Sequence, residues 1–205
     1  MGATAERVAR ANVNKFAQRR QMLAESALKA IAEQGYAETG LRAIAQHSEL
    51  SHGSLHYYFE DKDDLIALAV WNYKSECARR YDDIVATATT PEEFADRFAA
   101  TMAATLRDEA TLHRLWYDLR NQAMFSAGFR DTIVAIDELL QQMVWVVVSR
   151  FAELEGVAPA LTPTLAYALF DGVFQNTLIR YLRGDTEAVE RLRGEVHGLL
   201  KSALA

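Results

Sequence analysis

Apolar residues recur along most of this chain at three- and four-residue intervals, the period of an α-helix. In KFAQRRQMLAESALKAIAEQ, residues 15–34, Phe16, Leu23, Ala27, Ala30 and Ile31 fall near one face, which predicts an amphipathic helix. Gly35 is placed to end it, because glycine takes the left-handed cap conformation without strain. LRAIAQHS then predicts a short helix with Leu41, Ile44 and Ala45 inward. ELSHG reads as a break and SLHYYF as a second short helix with Leu55 and Phe59 inward. Residues 60–88 are expected to run as one long helix, with Asp61 as N-cap and Asp64 in the first turn. Thr90, Pro91 and the acids after them mark another helix start, and residues 109–124 continue helical. After a break at SAGF, from Ser126, the most apolar predicted helix runs from Phe129 to a stop at Gly156. VAPALTP is a linker, residues 163–183 form a helix, and Gly184 and Asp185 introduce the last one, to about Leu204. The expected class is all-α with about nine helices, a three-helix head carrying a helix-turn-helix and a larger helical body.

Composition agrees with long helices: the 205 residues hold only ten Gly and three Pro. The single Cys, Cys77, excludes an internal disulfide framework and fits a reducing compartment. The N-terminal residues show no apolar core of signal-peptide type, and MVWVVVSRF, from Met143, is too short to span a bilayer. A cytoplasmic protein without membrane contact is therefore expected. Net charge is −6, which argues against the whole chain binding nucleic acid. Its distribution changes that picture. Residues 1–29 hold six Lys or Arg (Arg7, Arg10, Lys15, Arg19, Arg20, Lys29) against two acids, whereas residues 63–205 hold fourteen against twenty-one. A basic leading segment on an acidic body suits a small polyanion-binding head, and it equally describes a solvated helix end.

SHGSLHYYFEDKDDL, residues 51–65, concentrates the unusual chemistry. His52 and His56 stand four apart, which places both on one helix face. A zinc site there would need a third ligand and an acid such as the HExxH motif supplies, and between them stand only Gly53, Ser54 and Leu55. No metal and no catalytic role are expected. In a helix-turn-helix the second short helix enters the major groove with its N-terminal end, which requires small polar residues. Ser51, His52, Gly53 and Ser54 meet that requirement. Gly53 allows close backbone approach to phosphate, helix-start amides favour anions, and Tyr57 and Tyr58 offer hydroxyls to phosphate oxygens.

GYAETGLRAIAQHSELSHGSLHYYFEDKDDLIALAV resembles the DNA-binding signature of the tetracycline-repressor (TetR) family of bacterial transcription regulators. The matching positions are Gly35, Thr39, Ile44, Ala45, Ser51, Gly53, Leu55, Tyr58, Phe59, Lys62 and Leu65. Two positions depart from the pattern: Ser48-Glu49 stands where the family carries Ala-Gly, and His56 where it most often carries Tyr. The resemblance implies an all-helical homodimer whose heads bind double-stranded DNA at a palindromic operator and whose bodies hold an unidentified small-molecule effector. It implies a boundary near residue 62, with a DNA-binding domain at 1–62 and a ligand-binding and dimerisation domain at 63–205; residues 1–14 would be a flexible basic arm. By position, Thr39 and Arg42 open the helix that crosses the backbone. Ser51, His52, Gly53, Ser54, His56 and Tyr57 present the reading surface, and Tyr58 and Lys62 touch phosphate.

The body mixes aromatics with a few polar groups at helical spacing, which suits core and equally suits a pocket between helices. Its candidate ligand contacts are Trp71, Phe98, Met102, His113, Trp116, Tyr117, Arg120, Asn121, Met124, Phe125, Phe170, Phe174 and Gln175. Arg120 would meet an anionic ligand or pair with an acid such as Asp171. Leu165, Leu169, Gly172, Val173 and Asn176, then Val189, Leu192, Val196 and Leu199, form faces that a second copy could cover in a four-helix bundle. The expected function is a regulator, most simply a repressor released by ligand, with no enzymatic activity and no cofactor. The competing readings are an all-helical enzyme or small-molecule carrier with an accessory head, and an architectural DNA binder without a ligand.

Overall fold

The structure is a computed structural model, and it describes residues 3–36, 40–47 and 52–205. The described residues form ten α-helices: α1 (Ala3–Gln34), α2 (Leu41–His47), α3 (His52–Tyr58), α4 (Lys62–Ala78), α5 (Asp82–Thr87), α6 (Pro91–Asp108), α7 (Ala110–Ala123), α8 (Arg130–Glu155), α9 (Pro163–Leu182) and α10 (Ala188–Ser202). The all-α class is as expected.

The caps explain most of the boundaries. Gly35 ends α1 at φ 89°, and Gly156 ends α8 at φ 72°, a region where a Cβ would be strained. The Asp64 N–H donates to Asp61 Oδ1 at 2.8 Å, so Asp61 caps α4. The Glu93 N–H donates to Thr90 Oγ1 at 3.2 Å, and Pro91 occupies the first turn of α6. Thr162 and Pro163 open α9 in the same way.

Two boundaries differ from the sequence pattern. α1 begins at Ala3, so residues 3–14, expected as an arm, continue the helix backbone. Ala, Arg and Glu there are helix formers, and no Gly or Pro follows Ala3 before Gly35. The expected single helix over 60–88 is divided at Arg79–Tyr81. Tertiary packing sets that break. Tyr81 is buried with its ring 4.7 Å from Phe98, and Arg80 donates to Thr105 Oγ1 and to both Glu109 oxygens.

The chain divides into two compact units, Met1–Tyr73 with Asp118–Ile133, and Lys74–Tyr117 with Val134–Ala205. The first has a core of Leu23, Ala27 and Ile31 from α1, Ile44 from α2, Leu55 from α3, Phe59, and Leu65 and Ile66 from α4, all buried. Burying a large aliphatic side chain contributes about 1.5–3 kcal/mol, so this interlock holds the short helices that propensity alone would not. The second unit is built around α6, α8, α9 and α10. Phe94, Phe98, Leu106, Val147, Val148, Phe151, Phe170, Leu192 and Val196 fill its core.

Among the described residues, α8 alone is long and apolar enough by composition to cross a membrane. Here Ile136, Leu140, Val144, Val147 and Phe151 of α8 form a buried stripe, and Glu138 and Gln142 lie on its exposed side. The linker after α8 is tied to the C-terminus: the Ala160 N–H donates to Ala203 O at 2.8 Å, and the Ala205 N–H to Ala158 O at 3.1 Å.

Candidate functional site

The first unit presents a polar face on α2 and α3. Arg42, Gly53, His56 and Tyr57 are exposed, Tyr57 to 72%. Leu55 and Phe59 anchor the same helix from beneath at 0% and 2% exposure, so one side of α3 is core and the other is presented. Tyr57 does not simply hang in solvent. Its ring lies 5.8 Å from Phe16 and 4.9 Å edge-on from Tyr58, and Phe16 lies 5.1 Å from Tyr58. This aromatic cluster ties α3 to α1 and limits the rotamers of both Tyr side chains. Tyr58 is half-buried. Thr39, Ser51 and the departing pair Ser48-Glu49 lie outside the described residues, as do the side chains of His52 and Ser54.

Lys62, expected at phosphate, is held within the unit. Its ammonium donates to the Tyr36 carbonyl and stands 3.9 Å from the centroid of the Tyr36 ring. Burial lowers its pKa, with Asp63 and Asp118 opposing. The Tyr36 hydroxyl donates to Asp63 Oδ1 at 2.9 Å, and burial followed by Asp63 pushes its pKa up to about 12. Arg20 stands over the Phe59 ring at 4.8 Å and donates to Asp64 Oδ1 at 2.7 Å. Lys62, Tyr36, Arg20 and Asp64 therefore fix the start of α4 against α1.

The second unit contains a cavity of about 90 Å³. Seven expected ligand contacts line it: Phe98, Met102, His113, Trp116, Tyr117, Phe170 and Phe174. Trp71, Arg120, Asn121, Met124, Phe125 and Gln175 do not; Met124 and Phe125 are exposed to 67% and 86%. The sequence reading missed the cavity's charged residues, Lys74, Arg80 and Asp171. One signal was available. Val70, Lys74 and Cys77 follow the four- and three-residue spacing of a buried helix face, and all three are buried.

Lys74 is 2% exposed, and its Nζ lies 3.4 Å from His113 Nδ1 and 4.9 Å from the Trp116 ring centroid. Burial lowers its pKa to about 8, only partly opposed by Cys77, Asp171 and Glu109. The same burial, then the charges of Lys74 and Arg80, drives His113 down to about 2. The imidazole is thus neutral, with Nδ1 accepting from the ammonium and the ring proton on Nε2, 4.0 Å from Glu109 Oε2. Glu109 accepts from Arg80 at 2.8 and 2.9 Å, and Asp171 accepts from the Tyr117 hydroxyl at 2.9 Å. Tyr167 donates to Asp137 Oδ1 at 2.5 Å at the cavity edge. The result is an aromatic chamber with one ammonium in its wall.

The expected dimer residues separate into two groups. Leu165, Gly172 and Asn176 of α9 are exposed, Leu169 and Val173 half-buried, and Ile179 and Leu182 extend the exposed apolar row. Val189, Leu192 and Val196 are instead buried within their own chain, because α10 packs on α6 and α9; Leu199 is half-buried.

Residues 23–69, which span the end of α1 through the first half of α4, match the family described as bacterial regulatory proteins, tetR family. Over those residues the chain carries a TetR-type DNA-binding domain. Over 189 residues it is 26% identical to the HTH-type transcriptional regulator PksA of Bacillus subtilis, covering 85% of each chain. Its fold is like that of a TetR transcription regulator from Haloarcula marismortui, with TM-score 0.74, 21% identity and coverage of 92% of this chain and 100% of that one. It is also like that of the transcriptional regulator FadR of Bacillus subtilis in complex with stearoyl-CoA, with TM-score 0.72, 18% identity and coverage of 90% and 98%. The TetR-type helix-turn-helix is α2 and α3, and its exposed side is the one that carries Arg42, Gly53, His56 and Tyr57.

Proposed function

We propose that this TetR-family regulator binds a palindromic operator as a homodimer and releases it when a small molecule enters the cavity of the body. The observation that carries the reading is the two-sided α3: Leu55 and Phe59 lock it into the core while Gly53, His56 and Tyr57 face outward. A short helix held rigidly with a polar outer face suits the major groove. Arg42 supplies a phosphate contact from α2, and His56 and Tyr57 face base edges. Thr39, Ser51, His52, Ser54 and Tyr58 complete the surface by position. Lys62 supports it by bracing α4 through Tyr36.

Residues 1–62 serve as the DNA-binding part and 63–205 as the ligand-binding and dimerisation part. The exposed row Leu165, Ile179 and Leu182 on α9 supports dimerisation through that helix. Two heads would then read half-sites roughly 34–36 Å apart. The cavity supports ligand control, since FadR of like fold holds stearoyl-CoA. Ligand and operator weaken each other's binding by the same factor, typically about 1–3 kcal/mol. Regulation of this kind places the protein with the chromosome in the cytoplasm.

Selection of bound sequences from a random duplex pool tests the reading. A palindrome is the expected product. Arg42→Ala should weaken all selected duplexes and flatten the salt dependence, whereas His56→Ala and Tyr57→Ala should change which sequences are selected. Recovery of no preferred sequence would refute the regulator reading.

A further inference from the structure

We infer that the cavity of the second unit takes an uncharged one-ring aromatic molecule, its ring lying among Phe98, Trp116, Phe170 and Phe174. This rests on the reading of the body as a ligand-binding domain. Three observations lead to it. The first is the charge balance of the wall. Lys74, Arg80 and Asp171 line the cavity, and His113 beside them is neutral. Glu109, outside the lining, chelates Arg80 at 2.8 and 2.9 Å. Asp171 accepts from the Tyr117 hydroxyl at 2.9 Å, and the charges of Asp171 and Glu109 both favour the Lys74 ammonium. Two cations thus stand against two anions, and the wall holds no net charge for an ionic ligand to neutralise.

The second observation is enclosure. Phe98, Met102, Trp116, Val144 and Phe170 are all buried, so a molecule seated among them gives up its water. That loss costs an ion far more than an uncharged ring. An indole face attracts cations, but the Lys74 ammonium already stands 4.9 Å from the Trp116 centroid. The third observation is shape. Phe98 meets Phe170 edge-on at 5.9 Å and Phe174 meets His113 edge-on at 4.8 Å, so these rings brace one another and offer faces and edges to a flat aromatic body. The volume, about 90 Å³, is on the scale of one aromatic ring, not of an extended chain such as the stearoyl-CoA that FadR holds.

The test uses the full chain with three one-ring probes of similar size: uncharged ethylbenzene, the cation benzylamine and the anion benzoate. A fourth probe, 1-octanol, is uncharged but extended. Binding is read by titration calorimetry and by the rise in unfolding temperature. Ethylbenzene should bind at least about tenfold more tightly than either ion, since each ion loses its hydration on entry, and at least about tenfold more tightly than 1-octanol. Val144→Phe sets a ring into the same space and should weaken ethylbenzene by a similar factor. Either ion or 1-octanol binding as tightly as ethylbenzene, ethylbenzene binding that survives Val144→Phe, or no ethylbenzene binding would overturn the inference. The comparison of probes uses the parent protein, so it decides the matter even if the variant folds poorly. Operator binding measured without probes tests the wider regulator reading separately: a selected operator with no ethylbenzene binding sinks only this inference, and loss of operator binding sinks the reading beneath it.

Discussion

Replacing Lys74 by Met should make the ligand-free protein more stable at neutral pH, and that gain should disappear at alkaline pH. Lys74 is 2% exposed, and burial lowers its pKa from 10.5 to about 8. The groups facing it are Cys77 and Arg80 near the end of α4, Glu109, His113 on α7 and Asp171 on α9, and together they do not offset the lost hydration. An unfolded chain therefore binds more protons than the folded one between pH 8 and 10.5, and stability rises with pH across that window. Below pH 8 the whole difference acts against folding, about 3 kcal/mol. Met has a similar unbranched shape and no charge, so packing is largely kept. Loss of the hydrogen bond to His113 takes back about 1 kcal/mol. The net gain at pH 7 is roughly 2 kcal/mol, a rise of about 4–8 °C in unfolding temperature for a chain of this size. Differential scanning calorimetry of parent and variant at pH 7 and pH 10 reads it. At pH 10 the penalty on the parent falls below about 1 kcal/mol, so the two proteins should unfold together. A variant less stable than the parent at pH 7, or a gap of the same size at both pH values, would show that internal partners hold the ammonium and that burial is not the dominant effect.

Two further outcomes follow from the same geometry. Thr90→Ala removes the acceptor of the Glu93 N–H at the start of α6 and should cost about 1 kcal/mol, seen as a lower urea midpoint with an unchanged slope. Ile179→Glu places a charge on the exposed row of α9 and should shift the protein towards monomer in sedimentation and weaken operator binding; an unchanged dimer would move the interface off that face.

The head was largely legible because its signals are local. Gly35, Asp61 and the inward pair Leu55 and Phe59 each act within a few residues, and the structure places them as the helical period requires. Lys62 was less legible. Its position at the start of α4 is local, but the carbonyl it meets belongs to Tyr36, twenty-six residues earlier. The face of α10 was less legible for a related reason. An apolar stripe states that a face is covered, not what covers it, and α6 covers Val189, Leu192 and Val196.

The cavity marks the division most clearly. Aromatic spacing alone nominated Phe98, Trp116 and Phe174, but could not separate them from Trp71, which does not line the cavity, or from Phe125, which is exposed. Helical class, caps and the helix-turn-helix follow from periodicity and short-range chemistry, because those depend on neighbours in the chain. The break at Arg79–Tyr81, the neutral His113 and the ammonium of Lys74 in the cavity wall were decided by tertiary structure. Each depends on desolvation and on partners brought together from distant segments, and a helical period carries no information about which segment closes over a given face.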